Sequence, residues 1–456
     1  MKNRLTTIML LVLTALLVFP ALAFADEAKI DTGDTGFILI SAALVLLMTP
    51  ALALFYGGMS RKKNVLNTMM MSFIILGIVT VQWVLCGYSI AFGTDIKSLV
   101  GSLDLVGLKG VGLDPFPGTA IPHAVFMVFQ MMFALITAAL ISGAVAERMR
   151  FGAYVLFILV WTTVVYDPLA HWVWGGGWLF NLGALDFAGG TVVHISSGVS
   201  ALVACIVLGK RKGYGSELMI PHNLPMTVLG AALLWFGWFG FNAGSALGAN
   251  AIAANAFVTT QIATGAAILS WAIVEWIRHG KPTMLGAASG CIAGLVAITP
   301  ACGFVTPLSA LIMGLLVSPI CYFAVSELKH RLNYDDSLDA FGIHGVGGTF
   351  GAIATGVFAS PVANPAITGG LLSGNPHQLV VQLISVVATI ILAALATFVI
   401  LKVIGAIMPI RVSEEEEEAG LDFTEHGEDA YSDSVLGSPL LAFKSGPSAT
   451  TQAPVK

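Results

Sequence analysis

The chain has 456 residues, 57% hydrophobic and only 10% charged, with a mean hydropathy of +0.88 and a formal charge of −5. Soluble globular domains carry about 25% charged residues, so this composition excludes that class and specifies an integral membrane protein. The negative balance comes largely from an acidic tail and offers nothing for nucleic acid to bind.

Residues 1–25 combine Lys2 and Arg4, the apolar run Leu5–Leu17 and the pattern Ala23-Phe24-Ala25, which together predict a signal peptide. An uncleaved first helix is the alternative, although its apolar run is short for a span. Eleven apolar segments follow, at 36–59, 65–92, 121–146, 151–172, 191–209, 226–246, 252–279, 283–300, 304–330, 340–359 and 377–408. Each is long enough to cross about 30 Å of hydrocarbon. Arg61, Lys62, Lys63, Arg148, Arg150, Lys210, Arg211, Lys212, Arg278, Lys281, Lys329 and Arg331 fall in every second loop, whereas the intervening loops hold only Lys97 and Lys109. Positive loops face the cytoplasm, so the mature N-terminus is expected outside and the C-terminus inside.

The loops 93–120, 173–190 and 360–376 are rich in Gly, Pro and Asp and predict a structured external surface. Gly286, Gly290 and Gly294 recur every four residues, as do Gly347 and Gly351. Such stripes predict close helix crossings. The cysteines, Cys86, Cys205, Cys291, Cys302 and Cys321, show no CxxC or metal spacing and read as small packing residues. From Pro409 the composition shifts: Glu414–Glu418 is an acidic run and the last residues are rich in Ser, Pro and Ala. This segment, 409–456, reads as a tail that is mostly solvated until a partner orders it, leaving 26–408 as the membrane domain.

The fold class predicted is therefore an all-α polytopic membrane protein with eleven transmembrane helices. Five spans up to 209 and five from 226 to 359 each finish with a histidine-bearing helix, and the eleventh stands outside. With five spans per half the second half inserts upside down. The expectation is an inverted five-plus-five repeat about a pseudo-two-fold axis, with its site near the midplane.

Two histidines then demand explanation. His194 lies in Asp186-Phe-Ala-Gly-Gly-Thr-Val-Val-His194 and His344 in Asp339-Ala-Phe-Gly-Ile-His344, each just inside an apolar segment. Each alone reads equally as a core histidine bonded to backbone carbonyls. Paired at matching places in both halves, they point to a shared pathway, since ionisable groups at that depth are costly. Buried imidazoles are expected to be neutral, each with one donor and one acceptor, which suits a small neutral molecule and suits a permanent cation poorly. No third ligand accompanies them, so neither metal nor cofactor is expected. Asp186 reads both as a cap for the fifth span and as a negative charge near the mouth. Phe129 and Phe133 share one helix face, as do Trp238, Phe241 and Ser245. Trp174 sits at the end of the fourth span. Aromatic stripes in membrane helices usually face core or lipid, so spacing alone does not place these in a pore.

The segments 186–194, Trp-Phe-Gly-Phe-Asn-Ala-Gly-Ser (238–245), Gly-Ala-Val-Ala-Glu-Arg (143–148), Thr-Pro-Ala-Cys-Gly (299–303) and Phe-Gly-Ile-His-Gly-Val (341–346) closely resemble the Amt/MEP ammonium transporters, in particular their bacterial Amt branch. The resemblance runs to Gly420-Leu-Asp and His426-Gly-Glu-Asp-Ala-Tyr431 in the tail. It implies a homotrimer in the plasma membrane, moving ammonium or methylammonium through one pore per subunit. It implies recruitment of the ion at Trp174, Phe133 and Ser245, supported by Asp186; a phenyl gate of Phe133 and Phe241; and a pore at His194 and His344, with Phe129 and Trp238 alongside. A PII-type signal protein at the cytoplasmic face is the partner implied for the tail, although the end beyond Tyr431 departs from the short tails of well-known bacterial members. Two rivals are an ammonium sensor of the same fold, for which the tail carries no signalling-enzyme motif, and an intramembrane hydrolase, for which no paired nucleophile exists.

Overall fold

The computed structural model describes residues 29–431, so the signal-peptide reading of residues 1–25 and the end of the tail lie outside the described residues. Among the described residues, ten helices are long and apolar enough to span a bilayer. They are α1 (Thr32–Met59), α2 (Lys62–Phe92), α3 (His123–Val145), α4 (Phe151–Leu182), α5 (Gly190–Leu208), α6 (Leu224–Gly244), α7 (Ala251–His279), α9 (Pro307–Leu332), α10 (Phe341–Phe358) and α11 (Pro376–Ile407). Between α7 and α9 lies α8 (Met284–Ile298), equally apolar but only 15 residues long. At 1.5 Å per residue it rises about 22 Å, short of the hydrocarbon thickness. The reason is local: Pro300 and Gly303 turn the chain at 299–304, where the segment at 283–300 was predicted to end. A Cβ at Gly303 would fall 2.0 Å from the Phe187 ring, so that ring lies on bare backbone at the turn.

Small residues set the crossings, as their spacing predicts. α1 packs most extensively on α6, where a Cβ at Gly230 would lie 2.4 Å from Phe55 N. Gly290 and Gly294 of α8 meet Trp271 and Ala267 of α7, and Gly351 of α10 meets the Ala297 carbonyl at 2.4 Å from its missing Cβ. The cysteines are all free thiols, buried except for the half-buried Cys86.

α5 and α10 run antiparallel and overlap through their N-terminal halves: Gly190 and His194 face Gly348, while Gly198 faces Gly345. Both helices therefore begin deep in the bundle, each reached through a loop, which is how histidines four residues into opposite-facing helices come together. Both begin with wide π-helical turns, Gly190–Ile195 and Phe341–Gly345. This matched pair of half-depth starts is the relation an inverted repeat requires.

The tail departs from expectation. Ser413 and Glu416 form a reciprocal capping box that starts α12 (Glu414–Ala419), and α13 (Leu421–His426) follows. The acidic run is not simply solvated. Glu417 is 1% exposed, accepting from Lys212 N at 2.6 Å and Arg411 Nη2 at 2.8 Å, and Asp422 accepts from Asn67 N at 2.8 Å. His222 of the α5–α6 loop bonds Tyr431 OH at 2.9 Å. Sequence composition registered the charge of these residues but not the Arg and Lys side chains, more than two hundred positions away in some cases, that dock them.

Candidate functional site

The site begins at the loop before α5. Asp186 is 6% exposed, and its carboxylate accepts the backbone N–H groups of Gly189, Gly190, Thr191 and Val192 at 2.8, 2.5, 2.8 and 3.2 Å, together with the Thr191 hydroxyl. Those are the donors a helix start leaves unpaired. The charge also offsets the positive end of the helix dipole. All these bonds turn the carboxylate toward its own helix. Its backbone carbonyl accepts from Trp174 Nε1 at 2.9 Å, fixing the indole.

From that indole an unbroken file of rings descends. Trp174 meets Phe133 edge-on, with centroids 5.9 Å apart at 84°. Phe133 stacks on Phe241 at 4.3 Å and 20°, and Phe129 braces it at 5.0 Å and 69°. Phe241 lies 6.3 Å from the His194 ring, and Trp238 stacks on that imidazole at 5.5 Å and 24°. The Trp238 indole donates to the Thr299 hydroxyl at 2.9 Å, a support that spacing could not reveal because Thr299 caps the end of α8, 61 residues along the chain. His194 and His344 close the file, with rings 5.3 Å apart at 29° and Nδ1 to Nδ1 3.3 Å. Ser245, one turn beyond Phe241, caps α6. Its hydroxyl donates to Phe241 O at 2.8 Å, leaving its oxygen lone pairs unused by any hydrogen bond among the described residues.

Both rings are buried, His194 at 1% and His344 at 3% exposure. An Nδ1–Nδ1 hydrogen bond requires one nitrogen to donate and the other to accept, so the two imidazoles take opposite tautomers. The pair thus offers the lumen one Nε2 acceptor and one Nε2–H donor, and His194 Nε2 has no partner among the described residues. The cavity beside them, walled by Leu52, Phe55, Ile136, Leu140, Leu234 and Ile292 among others, is about 10 Å³. That is the space of about one water. Beyond His344 a further cavity of about 40 Å³ continues past Tyr56, Ser289 and Asp339.

At the opposite end the charges gather. Glu147, at φ +71°, pairs with Arg61 at 2.5 Å and Arg211 at 3.3 Å, and Arg211 also pairs with Asp335 at 2.8 Å. Burial alone would raise the Glu147 carboxyl, but Arg211 and Arg61 hold it below the usual carboxylate range. Arg148 is fully buried and donates to the carbonyls of Ala144, Ala146, Gly209 and Asp335. Among the described residues no three His, Cys, Asp or Glu side chains gather as metal ligands would.

A many-spanned helical bundle around a narrow cavity walled by rings, two imidazoles and apolar side chains defines a membrane transport protein. The Ammonium Transporter Family model matches residues 36–431. The chain is 56% identical to an ammonium transporter of Bacillus subtilis over 88% of this chain and 99% of that one. It is 51% identical to one from Aquifex aeolicus, over 91% and 97%. It superposes on the crystal structure of Candida albicans Mep2 with a TM-score of 0.82 at 36% identity, covering 88% of this chain and 93% of that one. The chain belongs to the ammonium transporter family, a family of transporters and not of enzymes.

Proposed function

We propose that the chain recruits ammonium at its aromatic end, strips the ion's proton and conducts ammonia past the paired histidines. The difficulty is to reject potassium, which matches ammonium in size and charge. The Trp174 and Phe133 faces attract either ion by about 0.5–2 kcal/mol each, and the Ser245 oxygen adds an acceptor. That attraction does not discriminate. The stacked Phe133 and Phe241 rings and the cavity beneath them do: a bare cation there has lost its water and gains no counter-charge, at a cost of several kcal/mol or more. Ammonium evades this cost by passing its proton to water on the Trp174 side of the stacked phenyls, and potassium has none to pass. Ammonia then donates to the free Nε2 of one imidazole and accepts from the Nε2–H of the other.

The observation that carries this reading is the Nδ1–Nδ1 pair at 3.3 Å, seated under the stacked phenyls in a cavity of about 10 Å³. Its test is current recording on the purified protein in a planar bilayer, with ammonium and then potassium as the only permeant ion. Current with ammonium, or vesicle alkalinisation without current, together with none from potassium is the expected outcome; equal conductance for both ions sinks the reading.

By the positive-inside distribution we assign the Trp174 end to the outside and the Arg211 end to the cytoplasm of the cell's plasma membrane. Residues 1–25 are assigned as a signal peptide and 409–456 as a cytoplasmic regulatory tail, on their composition. A homotrimer, and a PII-type protein meeting the tail, follow from the family resemblance, and cross-linking of the purified protein tests the first of these.

A further inference from the structure

Gln382 of α11 stands outside the ring file and outside the repeat, yet every position of its amide is engaged. Its Oε1 accepts from Leu185 N at 2.8 Å and Gln378 Nε2 at 3.3 Å, while its Nε2 donates to Leu185 O at 2.8 Å and Ala352 O at 3.0 Å. The residue is 1% exposed. Its orientation is dictated by its partners, since Leu185 N can only donate and Leu185 O can only accept. A carboxamide alone meets both: a carboxylate has no proton to give, and an alkyl or thioether chain meets neither. Gln378, one turn earlier, donates to Gly183 O at 3.0 Å. Gly356 of α10 makes the room, because a Cβ there would fall 2.9 Å from Gln382 Cγ.

Leu185 is the residue before Asp186, and from Asp186 two parts of the site are hung. Its carbonyl holds the Trp174 indole, and its carboxylate caps the turn that carries His194. The bond from Gln382 to Ala352 reaches the helix that carries His344. One amide on the unrepeated helix therefore ties the mouth loop to the second pore helix.

We propose that Gln382 is a positioning residue for ammonium recruitment: its bidentate grip on Leu185 sets where Asp186 presents the Trp174 face. This rests on the reading of Trp174 as the recruiting face. The grip lies upstream of the gate, so its loss affects capture of the ion more than passage.

The test is initial uptake of labelled methylammonium, against concentration, by the full-length protein in proteoliposomes. Gln382→Leu removes donors and acceptor, and Gln382→Glu keeps size and acceptor but loses the donors. Thr389→Val, a buried position on the same helix whose hydroxyl bonds only within it, controls for general weakening of α11. Both Gln382 variants are expected to raise the half-saturating concentration roughly threefold to tenfold, with maximal rate held within about twofold. The Thr389 variant is expected to move neither. An unchanged half-saturation in the folded Gln382 variants overturns the proposal, as does a fall in maximal rate alone that Thr389→Val shares. Trp174→Leu run beside them separates the two layers: if it leaves half-saturation unmoved, the recruitment reading itself fails, and if only it shifts, Gln382 alone is dismissed.

Discussion

The loops that lead into α5 and α10 solve one problem under two electrical conditions. In each, an aspartate accepts the free N–H groups of a helix that starts deep in the bundle. Asp186 takes four of them and a hydroxyl, with no cation among its bonded partners. Asp336 takes only two, from Ala340 at 3.1 Å and Phe341 at 2.7 Å, and shares its loop with Asp339, itself paired with Lys329. The α5 loop is thus locked through Asp186 by hydrogen bonds alone. The α10 loop is held by ion pairs instead, with Arg211 on Asp335 and Lys329 on Asp339, and sits in a field of opposed charges. The α5 loop adjoins the Trp174 end of the ring file, and the α10 loop adjoins the basic residues Arg148, Arg211 and Lys329. Repetition supplied the scaffold, and the surroundings of each copy set its use.

The largest effect that bears on this comparison is expected inside the lumen, where α5 and α10 converge. His344→Asp places a fixed negative charge in the dry segment and should admit potassium, raising its permeability relative to ammonium at least tenfold in bilayer recordings. Continued potassium exclusion in a folded variant removes the dry-lumen account. Next, Asp186→Ala strands the donors of the locked loop and should cost about 2–4 kcal/mol, read as loss of monodisperse protein or a lower unfolding temperature in detergent. Asp336→Asn should cost clearly less, and the reverse ranking breaks the comparison.

The α10 loop should also respond to pH. Burial, with Asp339 beside it, pushes the Asp336 carboxyl from 3.8 up to about 6. The folded state therefore holds this proton more tightly than the unfolded chain. Its contribution to stability is present below about 3.8 and lost as pH rises through about 6. Unfolding temperature measured from pH 4 to 7 should fall more steeply in the natural protein than in Asp336→Asn; parallel curves count against the assignment. The smallest effects belong to the tail. Glu417→Gln should loosen α12 by about 1–3 kcal/mol, seen as faster hydrogen exchange at 414–426. Glu414→Gln, which removes only an exposed pair with Lys212, should change exchange hardly at all.

The spans and the histidine pair were legible in the sequence because hydropathy, and a charge set within it, are local signals. So were the glycine crossings, whose period matches the helix. The ring file was legible only through resemblance: Phe133 and Phe241 lie on different helices, and no spacing rule brings them to 4.3 Å. What escaped was polar and long-range. Gln382 reads as an ordinary residue of an apolar helix, and Asp336 as loop polarity. The acidic run reads as solvated until its partners, Arg150, Arg411 and Lys212, are seen around it. Side chains that meet across the chain leave no periodic trace.

The crossing of α5 and α10 carries one more consequence. A Cβ on Gly198 would come within 2.1 Å of Gly345 N, so the two backbones touch beside the imidazoles with nothing between them to slide or compress. A carrier that rocks between two faces must part its halves at the substrate, and here that would mean pulling apart a seam of bare backbone. The conduction proposed above therefore calls for a hop of the small molecule and not a shape cycle of the protein, and initial uptake measured against temperature should show a shallow dependence.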